Sequence, residues 1–297
     1  MEIIQQCYCC KSNNFKTYTK AKDNYANEVF SIQQCESCGF VFTNPRPEIQ
    51  DIGKYYNAAG YLSHQSHSKG FVQSIYRYAR NYMKKKKLSL IQNEIGKKDN
   101  FTLLDFGCGT GDFLSFIKEN NIQAEGIEPD EHARSVAKNI NKLDVFSLED
   151  MNTITNDKYD VITLWHVLEH VYNLHEQIDY FHKWLKPNGK LIIAVPNIES
   201  YDAKKYQQHW DGLDVPRHIY HFSPKNIAQI LGNQQFVLQG THPLFLDAYY
   251  VSMRSEWHHG TNRLLAYIKA VFVGFNSNQK AKKDGNYSSL IYIFGKK

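Results

Sequence analysis

The segment Leu103–Phe113, with the sequence LLDFGCGTGDF, constrains the fold more than any other part of this 297-residue chain. A short apolar run ends at Asp105, a glycine-rich turn follows, and an apolar helical pattern begins at Phe113. Glycines at alternate positions let the backbone of such a turn approach a ligand closely. The segment therefore predicts a strand, a nucleotide-binding loop and a helix, although G-x-G-x-G alone is weak evidence.

The region from 100 to 197 alternates short apolar strands with amphipathic helices, which is typical of a doubly wound α/β sheet. The predicted strands are Thr102–Asp105, Ala124–Ile127, Asp144–Phe146, Tyr159–Leu164 and Lys190–Val195. Glu128 directly follows the second of these strands. A carboxylate at that place can accept hydrogen bonds from both ribose hydroxyls of a nucleotide, so we expect Glu128 to bind a cofactor there.

Five of the six cysteines lie in the first 38 residues, and four of them form two C-x-x-C pairs: Cys7, Cys10, Cys35 and Cys38. Two such pairs supply the four thiolates that tetrahedral Zn²⁺ prefers. We expect a zinc-ribbon-like module over residues 1–45 that a structural zinc stabilises, with Cys9 as a spare thiol near the metal. Alternatively, the module grips a partner or forms one wall of the substrate site.

Residues 46–98 are predicted to form a linker and a helical collar, and residues 99–297 the large domain. Apolar residues recur at three- and four-residue spacing between Phe71 and Met83, which predicts a helix packed on the large domain. A second hypothesis places Tyr61 or His64 over the mouth of the active site.

The net charge of +5 does not by itself predict nucleic-acid binding. Nine lysines fall in short runs over residues 84–87, 280–283 and 296–297, and without them 26 basic residues stand against 30 acidic ones. Such runs are usually solvated. No apolar run approaches the length of a membrane span and no signal peptide is evident, so we expect a cytoplasmic protein without a membrane partner. The oligomeric state stays open.

Taken in order, these motifs resemble those of class I S-adenosylmethionine-dependent methyltransferases. The similar segments are DFGCGTG from Asp105, Glu128-Pro129, YDVI from Tyr159, Leu168-Glu-His170 and LKPNGKLII from Leu185. Within that superfamily the chain is similar to the branch with an N-terminal four-cysteine zinc module, which includes sugar methyltransferases. The resemblance implies a Rossmann-like seven-stranded sheet with an antiparallel last strand, and Phe236–Gly240 and Ser289–Phe294 fit its last two strands.

The resemblance also implies roles for individual residues of the cofactor site. Gly107, Gly109 and Gly111 would cradle the methionine part of S-adenosylmethionine, with Asp105 near its amino group. Glu128 would hold the ribose. Ser147 and Leu148 would flank the adenine. Trp165 and His166 would line the sulfonium and the substrate.

Residues 201–225 follow the fifth strand, where this fold commonly inserts a substrate lid. Four polar or aromatic residues cluster there: Arg217, His218, Tyr220 and His221. We predict that Arg217 pairs an anionic substrate group, that Tyr220 also contacts substrate, and that His218 or His221 is the general base, with His166 as third candidate. Alternatively, these polar groups only hold the loop together.

The segment His166-x-x-Glu169-His170 allows a further hypothesis, a divalent metal site. Ubiquinone-pathway O-methyltransferases carry a similar Glu-x-x-Glu-His segment, but here His166 replaces the first glutamate. We therefore favour packing and capping roles for Glu169 and His170.

The sequence thus predicts in-line methyl transfer from S-adenosylmethionine to a small polar acceptor such as a sugar or sugar nucleotide. A tRNA or rRNA methyltransferase that grips nucleic acid with its zinc module is the alternative. An NAD-dependent oxidoreductase is disfavoured because its loop has the spacing G-x-G-x-x-G, whereas here the third glycine comes one residue earlier. A non-enzymatic adaptor is disfavoured because it would not need the three glycines and Glu128, all of which are present. The acceptor, and whether oxygen, nitrogen or carbon is methylated, are not identified by the sequence.

Overall fold

The computed structural model describes residues 1–23, 25–56 and 71–297, with side chains from residue 78 onward in the helix that begins at Phe71. Tyr61 and His64 lie outside the described residues. The strands are β1 Phe15–Lys22, β2 Val29–Cys35, β3 Val41–Thr43, β4 Thr102–Phe106, β5 Gln123–Ile127, β6 Val145–Phe146, β7 Tyr159–Trp165, β8 Leu185–Pro196, β9 Tyr220–His221, β10 Phe236–Pro243 and β11 Ser289–Lys296. The helices are α1 Gly53–Tyr56, α2 Phe71–Ile95, α3 Asp112–Glu119, α4 Glu131–Ser135, α5 Leu174–Trp184, α6 Tyr201–Tyr206, α7 Pro224–Asn233, α8 Asp247–His258 and α9 Arg263–Asp284.

Seven strands form the large sheet in the order β10-β11-β8-β7-β4-β5-β6. β11 runs antiparallel to both of its neighbours, whereas the other pairs are parallel. Helices cover both faces, so the central strands are almost wholly buried, as their continuous apolar runs require. The predicted Rossmann-like α/β fold with an antiparallel last strand is confirmed.

β8 begins at Leu185 rather than at the predicted Lys190, because the segment before Lys190 is itself extended. Leu185 pairs with Tyr159 at the start of β7, before the regular ladder resumes at Lys190. A side chain at Gly189 would come within 2.7 Å of the Leu185 side chain and 3.0 Å of the Lys186 carbonyl oxygen. Gly189 therefore permits a close approach of backbone within the strand.

The N-terminal module is a four-stranded antiparallel sheet in which the fourth strand is β9. Val41 and Phe42 of β3 pair with His221 and Tyr220, nearly 180 residues away along the chain. Phe40 and Phe42 are buried in the same cluster as Tyr220. Residues 1–45 thus share both a sheet and a core with the large domain.

Helix α2 packs on the large domain through its second half. Leu88 and Ile91 are buried in the core, whereas Tyr78 and Tyr82, which were expected to pack, are exposed. Met83, at the end of the predicted face, does contact the core, and Lys87 lies one helical turn further along the same side of the helix.

Helices α8 and α9 are inserted between the last two strands, where the sequence analysis assigned no helix. They pack against each other and against α6. Among the described residues no helix has the length and hydropathy needed to cross a membrane.

Candidate active site

The glycine loop between β4 and α3 has its three predicted glycines in left-handed conformations, with φ of +74°, +57° and +83°. A side chain at Gly107 would come within 2.5 Å of Val167, and one at Gly111 within 2.1 Å of Leu143. At Gly109 a side chain would meet nothing within 4 Å. Two glycines are therefore required for packing, and Gly109 alone faces open space in which a ligand could lie against the backbone.

Glu128 lies beside this open face at the end of β5. One carboxylate oxygen accepts a hydrogen bond from the Gly109 amide at 2.7 Å, and the other accepts one from the Asp130 amide at 2.8 Å. The side chain is buried, which raises the pKa of its carboxyl group. Each oxygen keeps a second lone pair, so the group can still accept from the two hydroxyls of a ribose.

Ser147 and Leu148 follow β6 at the same edge of the sheet. The amide and hydroxyl of Ser147 both donate to Asp150, at 2.9 Å each, which fixes the turn. Leu148 is 39% exposed. An apolar side chain held in the open at this place is suited to pack on the face of an adenine ring.

The opposite end of the site contains a cation that the sequence analysis missed. The Lys87 ammonium lies 4.1 Å from the Trp165 ring centroid and 5.5 Å from that of Phe113. Burial lowers the pKa of Lys87 to about 8, although Asp105 opposes this. Burial also raises the pKa of Asp105 to about 6. The Asp105 carboxylate accepts a hydrogen bond from the Thr163 hydroxyl. Lys87 belongs to the run of lysines that was expected to be solvated.

Trp165, at the end of β7, is an independent sign of a binding site. Its ring nitrogen is buried and has no hydrogen-bond partner within the described parts of the chain. Such donors are rarely left unpaired in native proteins. The open face at Gly109, the buried Trp165 donor and the carboxylate of Glu128 together fit a cofactor with the groups of S-adenosylmethionine.

His166 is the predicted histidine that the structure places beside this site. Its backbone adopts the uncommon left-handed conformation, with φ of +57°. Nε2 lies 3.1 Å from Asp247 and Nδ1 lies 3.6 Å from Glu169. Although burial opposes it, these two carboxylates raise the pKa of His166 to about 10. The side chain is still 38% exposed, so a bound molecule could reach it.

Arg217 is held by protein groups in the interior, at the wall of an open recess whose described lining includes no residue of the glycine loop. Its guanidinium binds both oxygens of Asp214, at 2.7 to 3.1 Å, and pairs with Asp23 at 3.3 Å. It also donates to the Tyr55 carbonyl. With 2% of its surface exposed, Arg217 ties the module to the connection between β8 and α7, which argues against the predicted role with an anionic substrate group.

The other residues predicted to act in residues 201–225 are also buried. His221 contacts the Thr43 hydroxyl at 3.2 Å, and burial lowers its pKa to about 3. Tyr220 donates to the Tyr172 carbonyl and receives a hydrogen bond from Arg46. Both side chains join the module to the large domain, so the structure does not bring them to the glycine loop.

His218 instead joins Glu169 and His170 in a compact cluster. One ligand atom from each of the three side chains lies within 4.8 Å of the others. The imidazoles donate from Nδ1 to the carbonyl oxygens of Gly212 and Arg217, at 2.9 Å each. Neither Glu169 oxygen has a hydrogen-bond partner in the described structure. This arrangement could accommodate a cation, and it gives Glu169 no capping role.

The four cysteines of the module converge as predicted. Sγ atoms of Cys7 and Cys38 are 3.6 Å apart, and those of Cys10 and Cys35 are 3.5 Å apart. These separations are far longer than a disulfide and close to the edge of a tetrahedron with Zn–S bonds of about 2.3 Å. Cys9 lies outside the four and faces Asn226 of α7, at 3.9 Å. The four thiols therefore fit a structural zinc.

A separate open recess of about 300 Å³ lies between the module and residues 208–217. Lys20, Lys22, Asp211 and His258 are among the residues that line it. Its described walls include no residue of the glycine loop, so we do not assign it to the cofactor.

Comparison with known families decides the class of this site. A family model described as a methyltransferase domain matches residues 75–239, more than half of the chain. The chain belongs to this methyltransferase family. The match spans the glycine loop, Glu128, Trp165 and His166, and the predicted identification as a class I S-adenosylmethionine-dependent methyltransferase is confirmed.

Curated relatives match this methyltransferase over its central part. A ubiquinone biosynthesis O-methyltransferase from Coxiella burnetii is 29% identical over 117 residues, which are 37% of this chain and 50% of the relative. An uncharacterized protein from Methanocaldococcus jannaschii is 34% identical over 129 residues, 43% of this chain and 48% of the relative. The chain thus spans about half the length of these relatives.

Solved structures show the same fold at low sequence identity. The cyclase SpnF superposes with a TM-score of 0.55 at 16% identity, covering 85% of this chain and 98% of that one. A magnesium protoporphyrin IX methyltransferase from Synechocystis has a TM-score of 0.52 at 16% identity, covering 82% and 97%. At such identities the likeness supports the fold alone.

Proposed function

We propose that this protein transfers a methyl group from S-adenosylmethionine to a small polar acceptor. The observation that carries the proposal is the open face at Gly109, bordered by the Glu128 carboxylate on one side and by Lys87 and Trp165 on the other. This order of groups matches the order of chemical groups in the cofactor. When bound, the cofactor supplies a methyl carbon already activated by a sulfonium, so the protein mainly has to align the acceptor.

Each group at the site has a proposed task toward the cofactor. Glu128 accepts from the ribose hydroxyls, and Leu148 packs on the adenine. Lys87 pairs with the methionine carboxylate, while Asp105 accepts from the amino group. A salt bridge of this kind is strong here because the lysine is largely removed from solvent.

His166 is the proposed base. It replaces His221, which is buried against Thr43 of the module, and His218, which is bound to the Gly212 carbonyl and faces Glu169. Nε2 of His166 stays paired with Asp247, whereas Nδ1 is beyond hydrogen-bond distance from Glu169. Nδ1 can therefore take the acceptor's proton, and Asp247 stabilises the imidazolium that forms. Since the pKa of His166 is raised to about 10, the reactive neutral form increases with pH.

We propose an oxygen acceptor, for which the O-methyltransferase relative from Coxiella burnetii gives support, although only half of that protein is matched. A sugar or sugar nucleotide remains the preferred class. The test is to incubate the full chain with S-adenosylmethionine and a panel of sugars, sugar nucleotides, hydroxybenzoates and bulk tRNA, and to measure S-adenosylhomocysteine. Turnover with one of the small hydroxylated acceptors supports the proposal, and turnover with tRNA alone contradicts it.

Replacing Asp247 with asparagine should lower the pKa of His166 by roughly one pH unit or more, because one of its two carboxylate partners loses its charge. Nitrogen-15 NMR titration of the imidazole measures this without any acceptor. Asp211→Asn is the control, since Asp211 pairs with a different histidine, His258, at 2.6 Å. An unchanged midpoint in Asp247→Asn contradicts the proposed pair.

The same pair makes a pH-dependent contribution to stability. The folded-state pKa of His166 lies above the ordinary value of 6.5, at about 10. The stabilisation is therefore complete below about pH 6.5 and is lost as the pH rises through about 10. Asp247→Asn should reduce this dependence, because Glu169 alone then raises the pKa of His166. Thermal unfolding of both proteins between pH 6 and 10 measures the difference.

We also propose that the four-cysteine site binds one structural zinc ion. Cys35→Ser should lose the metal and unfold at lower temperature, because zinc binding contributes directly to the folding of small modules. Cys9→Ser, a change beside the site rather than in it, should retain one zinc per chain. Metal analysis after dialysis measures both variants, and equal zinc content in the two would contradict the assignment.

A further inference from the structure

Helix α9 has its large apolar side chains on the outside. The face that packs on the protein consists of small or polar residues: Ala266, Ala270, Val273, Gly274, Ser277, Asn278 and Ala281. A side chain at Gly274 would come within 2.6 Å of the Tyr249 ring, so α9 lies very close to α8. A helix that only covers a core shows the opposite distribution.

The exposed face of α9 forms a continuous apolar stripe. Its members recur at three- and four-residue spacing and are 45–72% exposed: Leu264, Leu265, Tyr267, Ile268, Val271, Phe272 and Phe275. Phe245 and Leu246, which precede α8, are 49% and 39% exposed, and the Phe245 carbonyl accepts from Asn278 of α9. We call these nine residues the apolar patch. Contiguous exposed patches of this kind mark interaction surfaces.

The charges near the apolar patch are mostly positive. Arg263 begins α9, and Lys280, Lys282 and Lys283 lie in its last turns, whereas residues 264–279 contain no carboxylate. The acidic residues nearest in sequence are Asp247, directly after Leu246, and Asp284, at the end of α9. Lys269, the one lysine within the stripe region, pairs with Glu256 at 3.1 Å. The patch is therefore apolar in the middle and cationic at both ends.

This charge pattern selects among the partners that could cover the patch. A second copy packed in parallel would place the lysine-bearing ends of both helices together, and an antiparallel copy would bring Arg263 toward those lysines. A surface of anionic lipid headgroups over an apolar interior complements both features, since lysines there extend to the headgroups while aromatic and aliphatic side chains enter the interface.

We propose that α9 and the apolar patch dock this protein on an anionic membrane surface. The stripe from Leu264 to Phe275 is about 17 Å long at the helical rise, and it lies along the interface rather than crossing it. The sequence predicts no membrane partner because no apolar run is long enough to span a bilayer, but binding at the surface needs no such run. The proposal does not depend on which acceptor is methylated.

Flotation of the full chain with lipid vesicles tests this proposal. We expect binding to vesicles of phosphatidylcholine containing about one third phosphatidylglycerol, and at least ~10-fold weaker binding to pure phosphatidylcholine. Phe272→Asp should weaken binding to the anionic vesicles by at least ~10-fold, because it places a carboxylate in the apolar contact. Ile140→Asp is the matched control, since Ile140 is 70% exposed elsewhere on the surface and its replacement should leave binding unchanged.

Two results would overturn the proposal. One is no binding of the wild-type chain to anionic vesicles, and the other is equal binding by wild type and Phe272→Asp. If light scattering then shows a dimer that Phe272→Asp converts to a monomer, the patch is an interface between copies instead. Cofactor binding by Phe272→Asp should equal that of wild type, which shows that the variant is folded.

Discussion

Replacing Gly109 with alanine should weaken binding of S-adenosylhomocysteine by at least ~10-fold while the protein stays folded. The added methyl group meets no protein atom within 4 Å, so its effect falls on whatever occupies the open face of the loop. The left-handed φ of +57° adds a cost of about 1 kcal/mol to folding. Calorimetric titration measures the affinity, and thermal unfolding measures the stability.

Gly96→Ala provides a matched control for that experiment. Gly96 also has a left-handed φ, +67°, and open space where a side chain would lie. However, it lies between α2 and the start of β4, whereas the glycine loop follows the end of β4. The two variants should lose similar stability, whereas only Gly109→Ala should lose affinity. Equal affinities in both would mean that the cofactor does not contact the loop at Gly109.

Replacing Lys87 with methionine should weaken the binding of S-adenosylhomocysteine by roughly 10-fold at pH 7, because the ligand carboxylate loses its charge partner. The neighbouring Lys86, which lies over the exposed Tyr82 ring, gives the control Lys86→Met, with no expected change. If both variants bind as wild type does, Lys87 has no role at the cofactor.

The pH dependence of binding separates charge from packing at Lys87. Burial lowers the pKa of Lys87 to about 8, so its positive charge is lost as the pH rises through that value and the affinity of the wild type should fall there. Lys87→Arg keeps its charge well above pH 8 and should show a flatter profile. Parallel profiles for the two proteins would contradict a charge pairing with the ligand.

The parts of this molecule that the sequence predicted are those that local pattern determines. The glycine loop, Glu128 after β5 and the four cysteines each depend on residue types at short, fixed spacing. The seven-stranded sheet with its antiparallel last strand followed from the resemblance that those motifs carry. For the same reason His166, directly after a predicted strand, stays a candidate for the site.

The parts that the sequence did not predict depend on contacts between distant segments. Arg217 was predicted to bind substrate because no acidic partner for it could be recognised in the sequence. One of its partners, Asp23, lies 194 residues away along the chain. Lys87 could not be singled out among four consecutive lysines, because the phase of α2 alone decides which one faces Trp165. The pairing of β3 with β9 was likewise invisible, since a two-residue strand has no pattern of its own.

Calorimetric titration of the full chain with S-adenosylhomocysteine and, separately, with NADH tests the central claim most directly. The arrangement of Gly109, Glu128, Lys87 and Trp165 predicts one S-adenosylhomocysteine site per chain and no measurable binding of NADH. Binding of NADH, or no binding of S-adenosylhomocysteine, would contradict it.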